Sequence, residues 1–179
     1  LRFNVQYTET IITKQPLNSL SFDHTNNSEY NSLNGYVASI TPFNFTAIGA
    51  NLASAPLLFG NSVLWKPSDS SILSNYLFYE IMLEAGLPEG VLNFCPMEPE
   101  KFLNVIKKPD LASILFTGCS EVLEDIFIDI YKDIRKFNNF PRIVGESGGK
   151  NFHFVDKDIG DLEYVVDKTI ESSFNYSGQ

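Results

Sequence analysis

The sequence predicts an α/β fold, a parallel sheet with helices on both faces. Three observations carry that reading. Short apolar runs alternate with helix-length amphipathic stretches through most of the chain, the pattern of successive strand–helix units. The apolar runs end in Pro, Gly or polar turns. The chain has 179 residues, enough for one domain with a sizeable core.

Residues 1–34 are polar, rich in Asn, Ser and Thr, with Pro16 and a strand-like run over 5–13; they predict a strand or two and then a surface loop. From Gly35 the pattern changes. Residues 36–40 form a buried-strand run ended by Thr41-Pro42, since proline cannot continue a ladder. Thr46 stands where it can cap a helix over 47–59, which Pro56 should kink and Gly60-Asn61 should stop. Residues 62–66 are the second strand, ended by Pro67. Ser70 or Ser71 can cap a helix over 72–85 that stops at Gly86-Leu87-Pro88.

Residues 91–95 predict a third strand, 100–107 a short helix burying Phe102, Leu103 and Ile106, and 111–117 a fourth strand entering Gly118. The next helix has the clearest period. Val122, Ile126, Ile130 and Ile134 recur every fourth residue beside Leu123 and Phe127, opposite Glu124, Asp125, Asp129 and Asp133, which read as a solvated face. Residues 143–144 and 152–155 predict two further strands. Residues 161–174 predict a closing helix burying Leu162, Val165, Val166 and Ile170.

Composition narrows the function classes. A net charge of −9 and a pI near 4.6 argue against a partner with a phosphate backbone, so no nucleic acid is expected. No apolar run reaches the ~20 residues of a membrane span. Cys95, Cys119, His24 and His153 are isolated and assemble no metal site, and two unpaired cysteines make a reducing compartment the default. The chain starts at Leu1, so the lack of a targeting segment carries no information.

Ligands on parallel sheets bind beyond the carboxyl ends of the strands. Four such ends carry polar or glycine-rich turns: Thr41-Pro42-Phe43-Asn44, Lys66-Pro67-Ser68-Asp69, Thr117-Gly118-Cys119-Ser120 and Gly145-Glu146. The last leads into Gly148-Gly149-Lys150, where two glycines permit a sharp turn beside a lone carboxylate. A Gly-x-Gly-x-x-Gly after the first strand is missing, so the ordinary dinucleotide fingerprint is not there. Pattern alone reaches an α/β domain with a polar rim.

In order, the rim turns resemble the aldehyde dehydrogenase superfamily. Its motifs stand here as Pro42-Phe43-Asn44, Lys66-Pro67-Ser68, Phe116-Thr117-Gly118-Cys119 and Glu146-Ser147-Gly148-Gly149-Lys150. The wording is nearer still to one branch, the pyrroline-5-carboxylate dehydrogenases of mitochondrial type, in residues 42–49, 64–69 and 149–155. The resemblance implies a Rossmann-like NAD-binding domain over 35–179, preceded by an N-terminal segment over 1–34. It implies NAD as cofactor and a small aldehyde, L-glutamate γ-semialdehyde, as substrate. It further implies homo-oligomers at full length and a mitochondrial matrix location. In that family a cysteine thiolate attacks the aldehyde, hydride passes to NAD, and water hydrolyses the thioester.

By motif, Glu146 would be the base that activates the water, a role that partial burial of the carboxylate would favour. Asn44 would donate its amide to the oxyanion. Lys66 would bind the adenosine ribose hydroxyls, with Asp69 either assisting or capping the following helix. Thr41 would line the nucleotide site. Gly118, Cys119, Ser120, Glu121 and Val122 would lie against the pyrophosphate at a helix N-terminus. The family usually has Ser where Cys119 stands. Residue chemistry alone would make Cys119, at a helix start, the nucleophile; the motif match places it on the cofactor turn. Glu121 adds a negative charge there unless it points outward. The family's nucleophilic Cys follows the Gly178-Gln179 pair, so this segment is expected to be a fragment, inactive alone. A non-catalytic nucleotide-binding module, or an aldehyde dehydrogenase of other specificity, is the alternative.

Overall fold

Five apolar runs pair into one parallel sheet: β1 (Tyr36–Ile40), β2 (Ser62–Lys66), β3 (Leu92–Phe94), β4 (Leu111–Gly118) and β5 (Arg142–Ser147). Their order is β3-β2-β1-β4-β5. The computed structural model describes residues 1–17 and 24–178, and the chain divides into two compact units, Leu1–Ser147 and Gly148–Gln179. β1, β2 and β4 are mostly buried, as expected of inner parallel strands covered on both sides, whereas the edge strand β5 is mostly exposed.

Side-chain alternation sends neighbouring residues to opposite faces. Val37, Val63, Trp65 and Leu92 share one buried cluster with Ala53 of α2 (Thr46–Ser54) and with Phe78 and Tyr79 of α3 (Ile72–Glu84). Ala38, Ile114 and Phe116 join Phe102 and Ile106 of α4 (Pro99–Ile106) and Ile126 and Ile130 of α5 (Ser120–Tyr131). Helices therefore cover both faces, as the alternation predicts.

The Pro56 kink takes the form of a change of helix type: α2 ends at Ser54 and a 3-10 segment runs over Ala55–Phe59 before Gly60. Thr46 is the first helical residue, not the cap; Phe45 holds the cap position in an extended conformation. The Thr46 hydroxyl reaches Ser74 of α3 instead.

Other expectations are corrected. Residues 5–13 are not a strand but lie within α1 (Arg2–Thr13). The β-branched threonines there return their hydroxyls to the carbonyl four residues back, Thr8 to Asn4, Thr10 to Gln6 and Thr13 to Glu9. Helix α1 packs through polar Asn4, which bonds Asn51, while Phe3, Tyr7 and Ile11 stay exposed. Residues 152–155 form no strand, and Phe152 and Phe154 are exposed; a strand needs a hydrogen-bonding neighbour, which apolar content cannot supply. His153, in the same exposed stretch, has its Nδ1 3.0 Å from the Thr169 hydroxyl. The closing helix, α6 (Leu162–Phe174), forms with Asp161 capping the Tyr164 N–H, but Leu162, Val166 and Ile170 are exposed.

In α5, Val122 and Phe127 are exposed, and the buried stripe is Leu123, Ile126 and Ile130. Asp129 is no simple solvated residue. It accepts from both Lys107 and Lys132, which hold its carboxyl down to about 2 against an ordinary 3.8. A carboxyl whose folded pKa lies below its unfolded value stabilises the fold above the unfolded pKa. That contribution is lost as pH falls from about 4 towards 2. Asp129→Asn should lower the melting temperature at pH 7 by roughly 2–3 °C, the scale of a half-exposed pair in a domain of this size. It should also flatten the loss of stability between pH 4 and 2. Thermal scans across that range check both, and equal acid sensitivity in the two proteins would contradict the pairing.

Candidate active site

Because all five strands are parallel, their carboxyl ends lie along one edge. Register fixes the order: Lys66 lies beside Ile40, Ile40 beside Phe116, and Thr117 beside Glu146. The rim therefore runs from Lys66 on β2, past the Thr41–Asn44 turn and the Gly118–Cys119 turn, to Glu146 on β5. Three inter-strand steps of about 4.8 Å separate its ends, roughly 14 Å in all. The chain winds one way from β1 to β2 and β3 and the other way to β4 and β5. The switch between β1 and β4 is where open α/β sheets form a crevice.

Lys66 differs most from a sequence reader's expectation. A lysine before proline at a strand end reads as exposed, yet only 8% of its side chain is accessible. Its Nζ donates to the Pro67 carbonyl at 3.0 Å and lies 3.7 Å from Asp69 Oδ1. An ammonium has three N–H donors. Among the described residues only the Pro67 carbonyl accepts within hydrogen-bond distance, so this buried cation keeps donor capacity for a ligand hydroxyl. Asp69 pairs with Lys66 and makes no side-chain cap bond.

Thr41 is buried, and its hydroxyl accepts from the Trp65 indole N–H at 2.9 Å. Its own N–H donates to the Lys66 carbonyl at 3.1 Å. Its side chain thus ties the end of β1 to β2 and faces inward, a role motif matching did not supply. Asn44 lies in an exposed bend two residues before α2, and its carboxamide has no hydrogen-bond partner among the described residues.

Gly118 ends β4, and Cys119 takes the cap position of α5 in an extended conformation (φ −80°, ψ 151°). The Leu123 N–H returns to the Cys119 carbonyl, while the first-turn N–H groups of Ser120, Glu121 and Val122 face outward from the helix start, where anions are favoured. The Ser120 hydroxyl donates to Ser147 Oγ at 3.1 Å, tying this start to the end of β5. Glu121 and Val122 are exposed.

Glu146 lies inside β5, which is longer than the two residues expected, and it is exposed. The partial burial that would favour a base is not provided by the described residues. Gly148 and Gly149 do adopt positive φ (65° and 130°), the conformations that favour glycine at a turn. Cys119 is exposed, whereas Cys95, just past β3, is half-buried with its thiol pushed up by burial. Among the described residues no cluster of His, Cys, Asp and Glu could hold a metal ion, and no helix is long and apolar enough to cross a membrane.

A groove of about 780 Å³ lies elsewhere, lined by Tyr30, Leu33, Ala112, Tyr131, Phe140 and Arg142. Ala112 and Arg142 stand at the amino ends of β4 and β5, so this groove is at the far edge of the sheet. Residue chemistry favours the rim over this groove.

The pattern of the aldehyde dehydrogenase family matches residues 1–179. The mitochondrial delta-1-pyrroline-5-carboxylate dehydrogenases of Emericella nidulans and Homo sapiens are 45% and 44% identical over 99% of the chain. The chain spans 31% of the length of each. The NAD-bound crystal structure of the delta-pyrroline-5-carboxylate dehydrogenase from Mycobacterium tuberculosis superposes with a TM-score of 0.90 at 36% identity, covering 99% of this chain and 33% of that one. With the family pattern met from first residue to last and the fold superposing on a solved relative over nearly its whole length, the chain belongs to the aldehyde dehydrogenase family.

Proposed function

We propose that the protein carrying this chain is an NAD-dependent aldehyde dehydrogenase that oxidises L-glutamate γ-semialdehyde to L-glutamate in proline catabolism. The observation that carries the reading is the buried Lys66, with donor capacity left over, at one end of a rim that has Asn44 and Glu146 further along it. The substrate rests on the names of the relatives, as does a mitochondrial, and specifically matrix, location. A homo-oligomer at full length belongs to the same reading.

NAD, when bound, supplies the hydride acceptor. Lys66 would donate to the adenosine ribose hydroxyls, and the outward N–H groups at the start of α5 would face the pyrophosphate. Asn44 donates its amide to the oxygen that gains charge as the aldehyde is attacked; a neutral, fixed donor stabilises that charge without moving a proton. Glu146 takes a proton from the water that releases the acid. Neither Cys95 nor Cys119 is assigned the attacking thiolate: one is half-buried with a raised pKa, the other belongs to the cofactor turn.

Lys66→Ala in the whole enzyme should weaken NAD binding by about 5- to 30-fold through the lost charged hydrogen bond, with the rate at saturating NAD little changed. Calorimetric titration of NAD, beside steady-state assays with glutamate semialdehyde and a simple aldehyde, tests this. Unchanged NAD affinity would remove Lys66 from the site, and equal turnover of both aldehydes would remove the substrate assignment.

A further inference from the structure

Asn75 is fully buried, four residues into α3 from Ser71, and its Oδ1 has no hydrogen-bond partner among the described residues. A buried oxygen without a partner destabilises a fold, and an apolar residue of similar volume would avoid that. The other half of the carboxamide is engaged. Nδ2 donates to Ser71 Oγ at 3.0 Å, and the Ser71 hydroxyl donates in turn to the Ser68 carbonyl at 3.2 Å. Ser68 belongs to the turn that carries Lys66 and Asp69. Using Ser71 as both acceptor and donor fixes which way the Asn75 amide points, and that leaves Oδ1 against α2.

There it meets Gly49. A Cβ at position 49 would stand 2.7 Å from Asn75 Oδ1, so glycine is what lets the two helices close over the amide. A second string runs in parallel: Thr46 Oγ1 donates to Ser74 Oγ, and Ser74 Oγ to the Ser71 carbonyl. Thr46 is the first residue of α2, two after Asn44. Both strings converge on Ser71, which links the start of α2 to the Lys66 turn.

We propose that Asn75 is a positioning residue for cofactor binding: wedged on Gly49, it orients the Ser71 hydroxyl, which holds the Ser68 carbonyl and with it the turn that aims Lys66. This rests on the reading of Lys66 as a cofactor ligand. Asn75 touches no cofactor atom itself. Its effect passes through the turn and appears in NAD affinity rather than in the chemical step.

The test uses the full-length enzyme with Asn75→Ala, Ser71→Ala, the double variant, and Lys66→Ala as reference. NAD dissociation constants come from calorimetry; KM for NAD, kcat and melting temperature are measured beside them. Asn75→Ala and Ser71→Ala should each raise the NAD dissociation constant and KM by about 3- to 10-fold with kcat within twofold. The double variant should be no weaker than the weaker single, because the two residues act in series. A purely structural role would lower the melting temperature and leave NAD affinity at the parent value, and that result overturns the proposal. Additive losses in the double variant would overturn it also. If Asn75→Ala does not fold, Ser71→Ala, which leaves the interior of α3 intact, decides alone by the same criterion. Lost affinity in Lys66→Ala with none in the Asn75 and Ser71 variants defeats this inference only. Parent-like NAD binding by Lys66→Ala defeats the site reading and this inference with it.

Discussion

Asn44→Ala should lower the rate constant for acylation by about 10²- to 10³-fold while leaving NAD affinity within a factor of two. The size follows from what is removed. A carboxamide held beside a developing oxyanion stabilises the transition state far more than the ground state, so its loss falls on the rate and not on binding. The structure leaves the Asn44 amide exposed in its bend, on the rim beside the β1–β4 switch, with no described residue competing for its N–H groups. Single-turnover measurement of NADH formation reads acylation directly. A loss of NAD affinity matching that of Lys66→Ala, or an unchanged acylation rate, would remove Asn44 from the chemistry.

Glu146→Gln should give the second large effect, of a different kind. The amide keeps the size of the side chain and removes the base, so acylation proceeds and hydrolysis stalls. A burst of NADH is expected, followed by turnover slowed by roughly 100-fold or more. Glu146 is exposed in this structure, so the described residues do not bury its carboxylate. Steady-state turnover equal to the parent's would exclude it, and a slowed rate without a burst would move its role from hydrolysis to an earlier step.

The first two strands were legible because each is an apolar run closed by a residue that cannot continue it, as in Ile40-Thr41-Pro42 and Lys66-Pro67. The rim followed from parallelism alone, since every carboxyl end then faces one way. Long-range partners stayed out of reach. Residues 152–155 have strand composition and no strand, because pairing is a property of two segments. The apolar stripe of α6 was legible as a pattern, but a pattern states what a face could bury against, not whether these residues bury it. In α1 the spacing of Phe3, Tyr7 and Ile11 was the available helical signal, masked by β-branched neighbours. At the site, motif order located Lys66 but not its burial. Asn75 gave no signal, since an Asn inside a helix usually faces water.

The bond between Trp65 and Thr41 has a consequence for how the protein can be observed. Trp65 is the sole tryptophan of the chain, fully buried, with Phe78 and Phe94 presenting near-perpendicular rings to it at 6.1 and 5.2 Å. Its N–H is locked by a hydroxyl at the end of β1, and its chain neighbour is Lys66. The segment thus contains one rigid, dry chromophore, one residue from the cation assigned to the cofactor. Excitation of that indole should give blue-shifted emission from a single environment, and on the proposed reading of the rim a reduced nicotinamide bound there would drain that emission by energy transfer. The hydrogen bond that closes the strand ends also fixes the orientation of an optical reporter.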